Sequence, residues 1–197
     1  MTRVGKFVWS NKVETAVHVR IEIDGKGLCS VKTGHITLDH LLFSFARYAR
    51  FDLDISAEGD GISHHLFEHM GIALGTAFSA AISNRDNLVQ FSRASIPMDE
   101  AFADVAIDIN HPVGGMILRS RSNLSSLPDT HDGVEVFCYL DVFEKMAIYS
   151  KVNIHVINLF ANDIHHAIEV LYKTMGVALY QASRIDTNPI QRLNKTI

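Results

Sequence analysis

The chain has 197 residues, 47% of them hydrophobic and 20% charged, which suits one packed core under an ordinary polar surface. A formal net charge of −4, with no basic run and no interleaved aromatic platform, gives no support to nucleic-acid binding, and no apolar stretch approaches membrane-spanning length. Met1-Thr2-Arg3-Val4-Gly5-Lys6 lacks the apolar run of a signal peptide, and Cys29 and Cys138 make neither a disulfide framework nor a zinc knuckle, so the expected compartment is the cytoplasm.

In chain order, residues 14–23 alternate cleanly as a strand that runs into the turn Asp24-Gly25-Lys26-Gly27. A helix is predicted over 39–49, with Leu41, Leu42, Phe45 and Tyr48 at helical spacing and Asp39 as its N-cap. Residues 51–55 alternate as a strand. From His64 to Ile82 apolar side chains at 66, 70, 73, 74, 77, 78 and 81 form a broad stripe, ended by Ser83-Asn84. Strands follow at 101–109 and 116–121, separated by His111-Pro112-Val113-Gly114-Gly115; then come a helix at about 138–150, a strand at 152–159 and a helix at about 164–183.

The second part repeats the first. Residues 38–82 laid without a gap over 139–183 bring His64, His65, Glu68, Gly75, Ala77 and Ala81 onto His165, His166, Glu169, Gly176, Ala178 and Ala182, and Tyr48 and Arg50 onto Tyr149 and Lys151. The fold class read from this is α+β: two duplicated halves, 1–90 and 91–197, each a β-sheet carrying two helices, joined as an α/β sandwich in one compact unit.

Histidine is the outlier, with eleven copies. In His64-His65-Leu66-Phe67-Glu68 and His165-His166-Ala167-Ile168-Glu169, residues three and four apart share a helix face, which is metal-ligand spacing. Adjacent imidazoles point about 100° apart and are placed to serve two ions rather than one. The self-match adds one donor from each preceding helix, because His40 falls on Asp141. Each half is therefore expected to supply one set, His40, His64, His65 and Glu68 from the first and Asp141, His165, His166 and Glu169 from the second. Two divalent ions would each keep open positions. Nitrogen and carboxylate donors without thiolate suit Mn2+, Fe2+ or Zn2+, and an open octahedral site favours Mn2+. His155 reads as a supporting or structural histidine and His69 as a solvated or interface residue; His18, His35, His111 and His131 are individually uninformative.

These residues resemble the imidazoleglycerol-phosphate dehydratase family of histidine biosynthesis. The likeness is carried by Gly34-His35-Ile36-Thr37-Leu38-Asp39-His40-Leu41-Leu42, by Phe51-Asp52-Leu53, by both His-His-x-x-Glu clusters, by Pro97-Met98-Asp99-Glu100-Ala101 and by Val13-Glu14-Thr15. It runs from about residue 3 to residue 183. It implies a ribosomal S5 domain 2-like fold and a dimanganese hydro-lyase that dehydrates the glycerol-phosphate side chain of an imidazole. It also implies trimers within a 24-subunit shell, with active sites between subunits. The eight donors above match the family's metal positions, with Asp141 standing where His or Glu is usual. Glu14 matches its acid/base glutamate and Lys173 a lysine on the phosphate side. Substrate contacts are implied for Glu14, His40, His64, His165 and Lys173. Two ions on one imidazole ring would stabilise it as an imidazolate, and a glutamate would move the proton.

The family's Arg-Arg-Tyr-Gly is Val89-Gln90-Phe91-Ser92 here, and its Ser-Gly-Arg-Pro is Ile109-Asn110-His111-Pro112, so both phosphate-gripping arginines are missing from their places. Ile62-Ser63 replaces an Asp-Asp pair, His69 replaces an aspartate, and Arg93, Arg119, Arg192 or Lys195 could replace the lost charge. Two alternatives to the dehydratase stay open: a dimetal relative acting on another azole or a non-phosphorylated ligand, and a non-catalytic metal-dependent shell.

Overall fold

The computed structural model describes residues 2–10, 14–110 and 113–188, with 119–122 described by backbone alone. Two four-stranded sheets have the same order. In the first, β1 (Val4–Ser10), β2 (Thr15–Glu22), β3 (Cys29–Lys32) and β4 (Asp52–Gly59) lie in the order β1-β2-β4-β3. In the second, β5 (Phe91–Met98), β6 (Ala101–Asp108), β7 (Gly115–Ser122) and β10 (Asn153–Phe160) lie in the order β5-β6-β10-β7. Each sheet is antiparallel except at one edge, where β3 runs parallel to β4 and β7 parallel to β10. That edge is formed by a crossover through a helix, α1 (Ile36–Ala49) in the first half and α3 (Val136–Ser150) in the second. Each half closes with a long helix, α2 (Ser63–Ala81) or α4 (Ile164–Ser183).

The alternation in β2 does what period two demands: Val17, Val19 and Ile21 are buried while His18 faces out. Those apolar faces rest on helices, α2 on β1 and β2, and α4 on β5 and β6. The helices then pack across the halves, α2 on α3 and α1 on α4, giving one core shared by both sheets. Glycine sets the spacing of these contacts. A Cβ at Gly75 would lie 2.6 Å from the Met146 carbonyl oxygen, and one at Gly176 2.6 Å from the Phe45 carbonyl oxygen. Gly75 and Gly176 are equivalent in the repeat, and so are Phe45 and Met146, so the same backbone-on-backbone approach is built twice. Phe45, Phe143 and Tyr172 fill the centre, with ring centroids 5.7 Å apart for Phe45 and Phe143 and 4.5 Å for Phe143 and Tyr172. Each such ring contributes about 1.5–3 kcal/mol by burial.

The structure departs from the sequence reading in several places. The N-cap of α1 is His35, whose Nδ1 accepts the Leu38 amide at 3.3 Å. Asp39 lies inside the first turn and accepts the Thr33 amide at 2.9 Å and the Thr33 hydroxyl at 2.6 Å. Three strands that the alternation test did not mark, β1, β3 and β5, are all sheet edges. An edge strand exposes much of its length, so its apolar periodicity fades, and β5 tolerates Pro97. The second half also carries a segment the first lacks, a short 3-10 turn at Leu124–Ser126 and a hairpin of β8 (Thr130–His131) and β9 (Val134–Glu135) between β7 and α3. No helix of the described residues is long and apolar enough to cross a membrane.

Candidate metal centre

The pairing of α1 with α4 and of α2 with α3 decides which donors meet, and it regroups the expected sets. His40, from α1 of the first half, lies with His165 and Glu169 from α4 of the second. His40 Nε2 is 3.4 Å from Glu169 Oε1, His165 Nε2 is 3.3 Å from Glu169 Oε2, and the two rings stack at 5.8 Å. These three residues place a ligand atom each within 4.8 Å of one another, and among the described residues no other group of three or more His, Cys, Asp or Glu does so. The expectation that each half supplies its own set is corrected: the ligand-bearing helices pair across the duplication, not within a half.

A loop residue that the sequence reading set aside supports this group. His131 Nε2 lies 3.1 Å from His165 Nδ1, so one ring nitrogen donates and the other accepts. With Nδ1 thus engaged, Nε2 of His165 is left to face Glu169. Asp132 Oδ2 is 3.7 Å from His131 Nε2 and is itself bonded by the Thr37 hydroxyl, which holds the Asp132 carboxyl below its usual range. The buried Tyr139 donates its hydroxyl to the His131 carbonyl at 3.0 Å, tying the hairpin to the core. The self-match could not reveal His131, because the first half has no such hairpin.

Lys173 Nζ is 2.8 Å from Glu169 Oε1 and 2.9 Å from Met98 Sδ, and it lies over the Tyr48 ring. Burial works against the Glu169 charge, but the bond from Lys173 and the neighbouring histidines hold its carboxyl below the ordinary range.

The remaining donors meet on the other helix pair. His64 Nε2 is 4.0 Å from Glu68 Oε2. Asp141, on α3, faces the same place, and Lys145 sits on both carboxylates, 2.7 Å from Glu68 Oε1 and 3.9 Å from Asp141 Oδ1. The Lys145 bond lowers the Glu68 pKa, whereas burial raises that of Asp141. Asp141 Oδ2 is buried with no hydrogen-bond partner.

His65 and His166 belong to neither group. His65 Nδ1 is 2.8 Å from Asp60 Oδ2, and His166 Nδ1 is 2.9 Å from Glu100 Oε2; each carboxylate raises its histidine's pKa. Glu14 Oε2 is 3.5 Å from His69 Nε2. His69 is 5% exposed, lies tilted against Trp9 with ring centroids 4.9 Å apart, and has its pKa lowered by burial, which corrects the solvated half of its reading as a solvated or interface residue. His155 pairs with Asn153 on β10, at 3.1 Å, away from both groups.

The arginine substitutions are visible as well. Gln90 stands with φ at 74° and donates its amide to Asp108 at 3.0 Å. Arg93 is engaged by Asp104 through Nε at 2.9 Å and Nη2 at 2.6 Å. His111, Pro112, Arg192 and Lys195 lie outside the described residues, as does the side chain of Arg119.

The donor chemistry of the first group, two imidazoles and a carboxylate converging with no thiolate, fits a divalent ion. The fold and this group together define a duplicated α+β protein that carries a histidine–carboxylate cluster where α1 and α4 meet. The imidazoleglycerol-phosphate dehydratase family profile matches residues 33–179. The imidazoleglycerol-phosphate dehydratase of Methanosarcina mazei is 34% identical over 197 residues, covering 99% of this chain and 100% of that one, and that of Roseiflexus sp. is 37% identical over 175 residues, covering 88% and 85%. The Staphylococcus aureus enzyme superposes with a TM-score of 0.78 at 23% identity, covering 92% of this chain and 99% of that one. The Pyrococcus furiosus enzyme, solved with (S)-C348, superposes at 0.76 and 28% identity, covering 94% and 97%. The chain belongs to the imidazoleglycerol-phosphate dehydratase family.

Proposed function

We propose that this chain catalyses the loss of water from D-erythro-imidazoleglycerol phosphate, the hydro-lyase step of histidine biosynthesis that names its family. The observation that carries this is the meeting of His40 with His165 and Glu169 within 4.8 Å, across the duplication. These three residues would hold a divalent ion; their donor types suit Mn2+, Fe2+ or Zn2+, and an open octahedral site would favour Mn2+. Bound there, the ion supplies Lewis acidity toward an imidazole nitrogen of the substrate. The chain's own residues do the rest. Lys173, fixed beside Glu169, sets positive charge at the edge of the group. His131 orients His165. Glu14, which lies beside His69 and His65 and outside this group, is the candidate for moving the proton of the glycerol side chain at a group supplied by a second copy, a role contributing about 10²–10⁴-fold.

The direction in which His65 and His166 point supports self-association. Both turn away from the ligand groups toward Asp60 and Glu100, in company with Glu14 in the first case. Four protein donors per ion then require a second copy of the chain, in keeping with trimers and a 24-subunit shell. The proposed compartment is the cytoplasm.

One observation favours a second reading: the family's arginine pair is absent, and Arg93, a candidate replacement, is committed to Asp104. This suits a relative acting on an imidazole diol that lacks phosphate. The deciding experiment is turnover with added Mn2+, followed as the imidazole ketone. Imidazoleglycerol phosphate is the expected substrate. Turnover of imidazoleglycerol without phosphate, and none of the phosphate ester, would replace the first reading by the second.

A further inference from the structure

Each donor group contains a lysine, yet the two lysines are not repeat equivalents. Lys173 comes from α4, where its counterpart on α2 is Ile72; Lys145 comes from α3, where its counterpart on α1 is Ser44. They also sit differently. Lys173 touches one carboxylate and is drawn to Met98 and Tyr48, leaving both imidazoles free to approach Glu169. Lys145 lies between two carboxylates, Glu68 and Asp141, in a group with a single imidazole at 4.0 Å.

We propose that the Lys145 ammonium is the built-in cation of the second group, so that each chain takes one exchangeable divalent ion where the duplicated donors alone would take two. This rests on the metal reading of the first group. Three observations support it. The ammonium faces two carboxylates, 2.7 Å from Glu68 and 3.9 Å from Asp141, whereas Lys173 meets Glu169 alone. The donors of the second group do not converge as His40, His165 and Glu169 do. The base of the lysine stem lies close against α2, where a Cβ at Gly71 would come within 2.8 Å of Lys145 Cβ, which sets the ammonium beside Glu68 of that helix. An ammonium offers three N–H donors and no open coordination position, so this group would steer charge without acting as a Lewis acid. Asp141 Oδ2, buried and unpartnered, is the acceptor a second ion would use once the ammonium is gone.

The test counts Mn2+ bound per chain, by calorimetric titration and by metal analysis of the full chain, for the wild type, K145M and K145R. Methionine keeps the stem and removes the charge, and its uptake at the first group serves as the folding control. The expected result is about one ion per chain for the wild type and K145R, rising to about two for K145M. Two ions in the wild type overturn the role of Lys145 and leave the metal reading standing. An unchanged count in K145M overturns it as well. Uptake by none of the three proteins removes the metal reading and this inference together.

Discussion

His131 Nε2 meets His165 Nδ1 at 3.1 Å, and this bond joins the one hairpin without a repeat counterpart to the group made by His40 and Glu169. A metal-ligating imidazole is fixed in tautomer and direction by what its second nitrogen binds, and removing that partner typically costs 10–100-fold in metal affinity. H131A should therefore weaken Mn2+ binding about 10–100-fold while leaving the fold intact, and H131N should recover part of the loss. A Mn2+ titration reads both; equal affinity in H131A and the wild type would show that His165 needs no such support.

Metal removal should be visible in stability as well as activity. An ion that binds only the folded chain adds about 2.7 kcal/mol at a concentration one hundred times its dissociation constant. Chelation should lower the melting temperature and Mn2+ should restore it. H165A and E169Q should lose that response. H155A should keep it, because His155 pairs with Asn153 on β10 away from either group. A melting temperature indifferent to Mn2+ in the wild type would count against the first group as a metal centre.

The glycines between helices make a symmetrical prediction. Gly75 and Gly176 each stand where a Cβ would come within 2.6 Å of a carbonyl oxygen on the facing helix. G75A and G176A should each destabilise the chain by about 1–3 kcal/mol through overpacking, despite alanine's better helix propensity. Denaturant midpoints at fixed chain concentration measure this. Gly34 offers the contrast: the space around it is open, but its φ of 82° strains any side chain.

Candidate donors could be picked out because ligand chemistry restricts both residue type and helical spacing, and the structure brings three of them together, His40, His165 and Glu169. The repeat placed α1, β4 and α2 over α3, β10 and α4 almost to the residue, down to the paired left-handed caps at Arg50 and Lys151. What could not be read was partnership. That His40 joins Glu169 rather than Glu68 depends on which helix lies against which, where Gly75 and Gly176, each seven residues beyond a glutamate of the clusters, let the facing backbones approach. His131 was invisible to a self-match, and the edge strands β1, β3 and β5 were invisible to alternation. Asp141, four residues before Lys145 on α3, is a neighbour that spacing shows, whereas Glu68 of α2 reaches Lys145 only through the packing of the two helices.

The acid limb of stability should report on Asp104. This carboxylate is 2% exposed and is gripped by Arg93, Ser95 and Asn158. The Arg93 bond chiefly holds its pKa below the ordinary value of 3.8. A carboxyl whose folded pKa is depressed favours the folded state while charged. Its contribution is whole above pH 3.8 and is lost as pH falls through the lower folded value. D104N should accordingly be less stable than the wild type near neutral pH, and the two should converge as pH drops below 3.8. Denaturant unfolding of both proteins across that range measures the gap. A gap that stays constant from neutral to acid pH would mean that Asp104 stabilises the sheet through packing and neutral hydrogen bonds rather than through its charge on Arg93.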